Sequence, residues 1–294
     1  LSTHHYELLI SAYLNANDLQ AALSVILIMV DINLKVGPGT CDPLYWYLSA
    51  GTPDEDNRPM QAFRHLQDFE AAGRKIPTAA VNACIQASIA RTRLDEAIEI
   101  YKALHTVSHA GPNTGTFNIL FRGCHLERRK ELAMFLANEM VKLGLRPSRL
   151  TYDRLILVCL TAGDLDDAML YYEEMVSTGA TAGKKGPMKP RRNTWEALIY
   201  RCVEQGDERA VALLNDYKDG VEEPRRNIEK AVVDRFEYGI IRSADPADVG
   251  REATEDTASD VVEDQHVRST SELGRTPDAG ADTELSEKRS GAGS

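Results

Sequence analysis

One phrase of sequence recurs six times along this chain. It is clearest where Tyr152-Asp153-Arg154-Leu155-Ile156 is followed by Ala162-Gly163-Asp164-Leu165-Asp166-Asp167-Ala168 and then by Tyr172-Glu173-Glu174-Met175. Aligned on the aromatic or apolar residue that opens each copy, the repeats fall at Tyr6, Cys41, Val81, Phe117, Tyr152 and Trp195, at intervals of 35, 40, 36, 35 and 43 residues. A unit this short cannot bury its apolar face alone and must stack on its neighbours. The spacing therefore predicts an all-α solenoid of helix–turn–helix hairpins with a continuous narrow core.

Within each copy the first helix carries apolar residues at helical spacing, such as Tyr6, Leu9, Ile10 and Tyr13 in the first and Phe117, Leu120 and Phe121 in the fourth. Short turns follow. Asn17-Asp18-Leu19, Gly163-Asp164-Leu165 and Gly206-Asp207-Glu208 each join a residue that tolerates positive φ to an acidic N-cap, so one helix stops and the next starts within a few residues. A small residue recurs in the second helix, at Ala22, Ala62, Ala97, Ala133 and Ala168, with Val211 in that place in the last copy. Such a residue lets the two helices of a hairpin approach closely. The hairpins are expected to start near residues 3, 38, 78, 114, 149 and 192 and to fill 3–220, with a C-terminal capping helix inside 221–242 that Pro224 introduces.

The formal charge of −11 is unevenly placed. Beyond Ile241 there are 13 acidic and 6 basic residues, so the tail carries −7 and the repeat body −4. Residues 243–294 lack periodicity, aromatics and a plausible core, and are expected to form a disordered acidic tail. A nearly neutral body is not the broad basic footprint of an independent nucleic-acid binder, though local stripes exist. They are Arg91 with Arg93; Arg122, Arg128, Arg129 and Lys130; and Lys142, Arg146 and Arg149. The densest is the insertion Lys184-Lys185-Gly186-Pro187-Met188-Lys189-Pro190-Arg191-Arg192, which suits either a solvated surface loop or a phosphate-contacting one.

Five cysteines occur, one in each of repeats two to six, and Cys124, Cys159 and Cys202 each lie seven residues after their opening aromatic. Equivalent placement with no CxxC or Cys/His cluster marks small buried hydrophobes and a reducing compartment, with no metal. No segment has the apolar length of a membrane helix. Leu1 is expected to be an internal start, so that a targeting segment or further repeats would lie upstream.

No catalytic constellation is legible. Asp164, Asp166 and Asp167 sit at a helix start, where acidic residues favour the dipole, and Gly111-Pro112-Asn113-Thr114-Gly115 lacks the lysine of a phosphate loop. Nuclease and deaminase signatures are missing, and no cofactor is implied.

The period, the aromatic opening, the Ala-Gly-Asp-Leu-Asp-Asp-Ala turn, Glu-Glu-Met-Val-Ser-Thr-Gly closing helix two, and Leu143-Gly144-Leu145-Arg146-Pro147-Ser148 between units together resemble the pentatricopeptide repeat family, in its fungal mitochondrial style. The Trp…Leu-Gly…Tyr pattern of tetratricopeptide repeats is missing. The resemblance implies a right-handed superhelix, residence in the mitochondrial matrix, and a non-catalytic role on single-stranded mitochondrial RNA or ribosomal RNA. A rival is a scaffold for protein partners on the concave face, for example at the mitochondrial ribosome.

The resemblance also implies that each repeat reads a base with the residue after its opening aromatic and with its own last residue. The first set is Glu7, Asp42, Asn82, Asn118, Asp153 and Glu196, and the second Gly37, Pro77, Asn113, Ser148 and Arg191. Asn82 with Asn113 and Asn118 with Ser148 keep the family pattern, in combinations that lean toward pyrimidines. Glu7, Asp42 and Glu196 depart from it, and the base-sandwiching residue keeps its type only at Leu150. The RNA-binding set implied is Asn82, Asn113, Asn118, Ser148 and Asp153, with Arg122, Lys184, Lys185, Arg191 and Arg192 as phosphate contacts.

Overall fold

A computed structural model describes residues 2–51, 57–181, 187–221 and 224–236. The tail expected at 243–294, the end of the capping segment, and Lys184 and Lys185 lie outside the described residues. Among them the chain is helical and forms an α-solenoid. Thirteen α-helices are present: α1 (Thr3–Asn15), α2 (Leu19–Asp31), α3 (Asp42–Ser49), α4 (Arg58–Ala71), α5 (Thr78–Ala90), α6 (Leu94–Val107), α7 (Thr114–Leu126), α8 (Lys130–Lys142), α9 (Arg149–Ala162), α10 (Leu165–Thr181), α11 (Arg192–Gln205), α12 (Arg209–Gly220) and α13 (Arg226–Phe236).

Each odd-numbered helix up to α11 forms a hairpin with the even one after it, and α13 closes the stack against α11 and α12. Consecutive first helices touch without a break from α1 through α13. The second helices touch along α2, α4 and α6, and from α8 onward each packs on the first helices either side of it. First helices therefore form the inner row of the solenoid, and the face they turn away from the second helices is its inner face. Two hydrophobic clusters meet in α9, where Leu155 and Val158 belong to the preceding repeats while Ile156, Cys159 and Leu160 belong to the following ones. Both sides of this helix are buried, which explains why its second half, Leu155 to Leu160, is apolar without interruption.

The turns are built on left-handed backbone. Asn17, Thr92, Arg128, Gly163 and Gly206 all have φ between 55° and 84° where a first helix gives way to its partner. Thr92 is β-branched and Arg128 is long, so these turns are held by the stacked helices and not by residue preference. Asp18 and Asp164 cap their helices as their sequence implies, accepting from the backbone N–H of Ala21 at 2.9 Å and of Asp167 at 3.2 Å.

Several expectations need correction. Cys41 lies in a 3₁₀ turn, Gly39–Cys41, ahead of a short α3, so it is buried without being part of the first helix. Val81, Phe117, Tyr152 and Trp195 are buried in first helices, whereas Tyr6 is half-buried and Leu9 and Tyr13 are exposed, because no unit among the described residues covers that face of α1. The small-residue contact is fully buried at Ala22, Ala62, Ala97, Ala133 and Ala168, but in the last hairpin Ala210 fills it and Val211 faces solvent. There the first turn is tighter: the Ala210 N–H donates to the Asp207 carbonyl three residues back, where Ala168 of repeat five donates to Asp164 four residues back, so the contact comes one residue sooner.

Candidate nucleic-acid interface

The residues following the opening positions form one row along the inner helices. Their environments divide them. Asn82 Oδ1 accepts from the Thr116 hydroxyl of the next first helix at 2.9 Å, and Asn118 Oδ1 accepts from the Thr151 hydroxyl of the helix after that at 2.8 Å. Both threonines are fully buried and sit immediately before an opening aromatic. They also complete N-terminal capping boxes with Asn113 and Ser148. The Asn113 carboxamide accepts from the Thr116 N–H at 3.0 Å, and the Ser148 hydroxyl accepts from the Thr151 N–H at 3.3 Å. Asn118 Nδ2 further donates to the Ser148 hydroxyl at 3.4 Å. The two implied reading residues of a repeat are thus brought together through a threonine of the following repeat, which fixes their side-chain angles before any ligand arrives.

Asp153 and Glu196 have the same register and a different fate. The Asp153 side chain is 3% exposed, accepts from the Arg191 backbone N–H at 3.0 Å, and lies 3.5 Å from the Arg191 Nε. The implied pair Asp153 and Arg191 is therefore turned on itself, with Asp153 Oδ1 hydrogen-bonded and Oδ2 only ion-paired to the guanidinium. Glu196 is buried beside three partners: Arg192 Nε donates to it at 2.8 Å, the Tyr217 hydroxyl at 2.7 Å, and the Arg225 guanidinium approaches to 3.4 Å. The carboxylates that would repel a phosphate backbone at these two repeats are neutralised from within. Asp42, by contrast, is exposed at the first turn of α3.

Most of the basic stripes bridge repeats. Arg91 is buried and donates to the Leu48 and Ala50 carbonyls at 3.3 and 3.0 Å, closing the C-terminus of α3. Arg129 lies 3.7 Å from Asp95. Lys130 clamps Asp164 and Asp167, and Arg209 joins Asp166 to Asp207 at 2.7 and 2.6 Å. The Lys130 ammonium and the backbone N–H of Asp167 hold the Asp164 carboxyl below the usual carboxylate range. Arg149 donates to the Pro190 carbonyl at 2.7 Å. Arg122 and Arg146 are exposed and form no ion pair among the described residues. Of the implied phosphate contacts, Arg122 therefore presents itself most openly, while Arg191 and Arg192 are exposed but tied to Asp153 and Glu196.

All five thiols are buried, and burial pushes them up, to about 12 for Cys41, Cys124 and Cys159 and about 11 for Cys202, with Cys84 higher still. No group of three or more His, Cys, Asp or Glu able to hold a metal ion occurs among the described residues, and none of their helices is long and apolar enough to cross a membrane.

Hairpins of this period, stacked so that in repeats three to five an inward polar residue is fixed by the next unit, define a helical-repeat protein of pentatricopeptide type. Family models agree: "Pentatricopeptide repeat-containing protein" matches residues 1–104, "Pentatricopeptide repeat domain" residues 110–162, and "PPR repeat" residues 150–179. The chain belongs to the pentatricopeptide repeat family. A curated pentatricopeptide repeat-containing protein of Arabidopsis thaliana is 38% identical over 69 residues, covering 24% of this chain and 12% of that protein. Among solved structures, the pentatricopeptide domain of Arabidopsis thaliana protein-only RNase P 1, in complex with tRNA, aligns with a TM-score of 0.50 at 17% identity, over 61% of this chain and 90% of that one. The maize pentatricopeptide repeat protein PPR10 aligns with a TM-score of 0.47 at 19% identity, over 83% of this chain and 33% of that one.

Proposed function

We propose that the chain binds single-stranded RNA through its third and fourth repeats and acts without catalysis in the maturation, stability or translation of an organellar transcript. The observation that carries this reading is the pair Asn82 and Asn118, presented at one level by consecutive first helices and each held by a threonine of the next repeat. A carboxamide held at its oxygen, as in Asn82, or at its oxygen and one N–H, as in Asn118, still offers a donor to the edge of an unstacked base. The tRNA complex of the structural relative supports RNA as the ligand, by likeness of fold. A mitochondrial compartment is our reading of the family resemblance, and a fungal-type member our reading of the variable insertions, degenerate reading positions and acidic tail; the curated relative is a plant protein.

The test is binding of the full chain to a short fluorescein-labelled pyrimidine RNA, single-stranded and as a duplex, at rising salt. Preference for the single strand, weakening with salt, is expected. Equal affinity for the duplex, or no binding at low salt, would remove the proposal. Fractionation of cells expressing the tagged full-length protein tests the compartment.

A second reading, a scaffold for protein partners such as a ribosomal assembly, is favoured by Phe135 and Leu170, large apolar side chains exposed on the second helices. Co-purification of proteins that survives nuclease treatment, without RNA binding, would favour it.

A further inference from the structure

One helical turn beyond the implied reading row, the inner helices carry a second row: Trp46, Gln86, Arg122, Leu157 and Tyr200, each four residues after Asp42, Asn82, Asn118, Asp153 and Glu196. Residues four apart share a helix face, so the two rows lie side by side. The two rows are complementary in content. Where the reading residue is an Asn, the second row offers a polar or cationic side chain, Gln86 or Arg122. Where it is a carboxylate, the second row offers an aromatic ring beside Asp42 and Glu196, and a leucine, Leu157, beside the buried Asp153.

Trp46 is 55% exposed, on the side of α3 opposite the buried Leu44 and Leu48, while the chain's other tryptophan, Trp195, is 2% exposed. Tyr200 is 40% exposed. The Trp46 indole, more than half exposed and tilted against the neighbouring Tyr45 ring at 5.0 Å, lies on a face that also bears an arginine two first helices on. It is well suited to the π-face of an unpaired base, which stacks on an aromatic ring whatever its identity.

Resting on the RNA reading above, we infer that Trp46 is a stacking platform for an unpaired RNA base at a repeat whose Asp42 carboxylate does not suit base reading there, with Gln86 and Arg122 continuing the strand's path across α5 and α7. Repeat two then contributes affinity without sequence preference, while repeats three and four supply the preference. Tyr200 holds the equivalent place in repeat six.

Two tryptophans of opposite exposure make the test direct. Iodide quenches Trp46 emission and spares Trp195. Adding single-stranded pyrimidine RNA to the full chain is expected to protect Trp46 from iodide, with binding followed in parallel by anisotropy of labelled RNA. Trp46→Ala is expected to weaken binding about tenfold or more with an unchanged salt slope, since stacking releases no counterions, and Trp46→Phe to recover most of the loss. Circular dichroism melting should show both variants folded as the parent is; if Trp46→Ala is not, protection in the parent and the Phe variant decide the matter. RNA that binds by anisotropy yet leaves Trp46 open to iodide, or binds Trp46→Ala as tightly as the parent, would overturn the stacking site and leave the RNA reading standing. Anisotropy showing no binding at all would overturn both.

Discussion

The Thr151 hydroxyl donates to Asn118 Oδ1 across 2.8 Å, joining the first turn of α9 to the inner face of α7. Thr116 does the same for Asn82, one repeat earlier. Stacking and ligand presentation are therefore one set of bonds, and a change at the buried partner should be felt at the exposed one.

Thr151→Val keeps the side-chain shape and removes the donor. It should cost about 1–2 kcal/mol of stability by chemical denaturation, because the Ser148 N–H loses its acceptor and Asn118 its fixing partner. RNA affinity should fall with it. Thr161→Val serves as the control, because the Thr161 hydroxyl donates only within its own helix, to Leu157 and Val158 carbonyls. Equal RNA affinity for Thr151→Val and the parent would show that Asn118 needs no such support.

The hairpin turns give a second prediction of opposite sign at equivalent places. Thr92 has φ 57° and Gly163 φ 84°. Thr92→Gly should raise stability by about 0.5–1 kcal/mol by relieving a β-branched residue of left-handed backbone, partly offset by the greater freedom of glycine in the unfolded chain. Gly163→Ala should lower it by about 1 kcal/mol or more. Urea midpoints with unchanged m values would check both.

Much of the fold is legible in the spacing, since a period and a fixed phase decide which residues a stacked unit can bury. Cys124, Cys159 and Cys202 were placed inside by arithmetic alone. The threonine row was equally present in the sequence, as Thr40, Thr116, Thr151 and Thr194 before the openers, but its role needs partners about 33 residues away that meet only after stacking. The same holds for Lys130, whose carboxylate partners on the following unit turned part of an apparent basic stripe into an inter-repeat bridge. Ala210 escaped for a local reason, a first turn of α12 that closes in three residues where that of α10 closes in four.

Alkaline pH should unfold the protein sooner than its carboxylates would suggest. The thiols have folded-state values raised above the unfolded value near 9.0, so their contribution is fully present below about pH 9 and is lost as pH rises toward 11–12. Each pH unit in that window removes about 1.4 kcal/mol per thiol. The urea midpoint should drop steeply between pH 9 and pH 11, and less steeply in Cys124→Ala with Cys159→Ala. In the native protein the thiols should react with a thiol reagent only after denaturant is added.

The central claim, that two consecutive repeats read single-stranded RNA through asparagines held by the next unit, is tested most directly by Asn82→Ala combined with Asn118→Ala. Titrations of matched pyrimidine and purine single strands against the full chain, parent and double variant, at several salt concentrations would measure affinity, preference and salt slope together. The account predicts a pyrimidine preference in the parent that the double variant loses, at about 1–3 kcal/mol for each base contact, with the salt slope unchanged because no phosphate contact is removed. A double variant that keeps the parent's affinity and preference would contradict it.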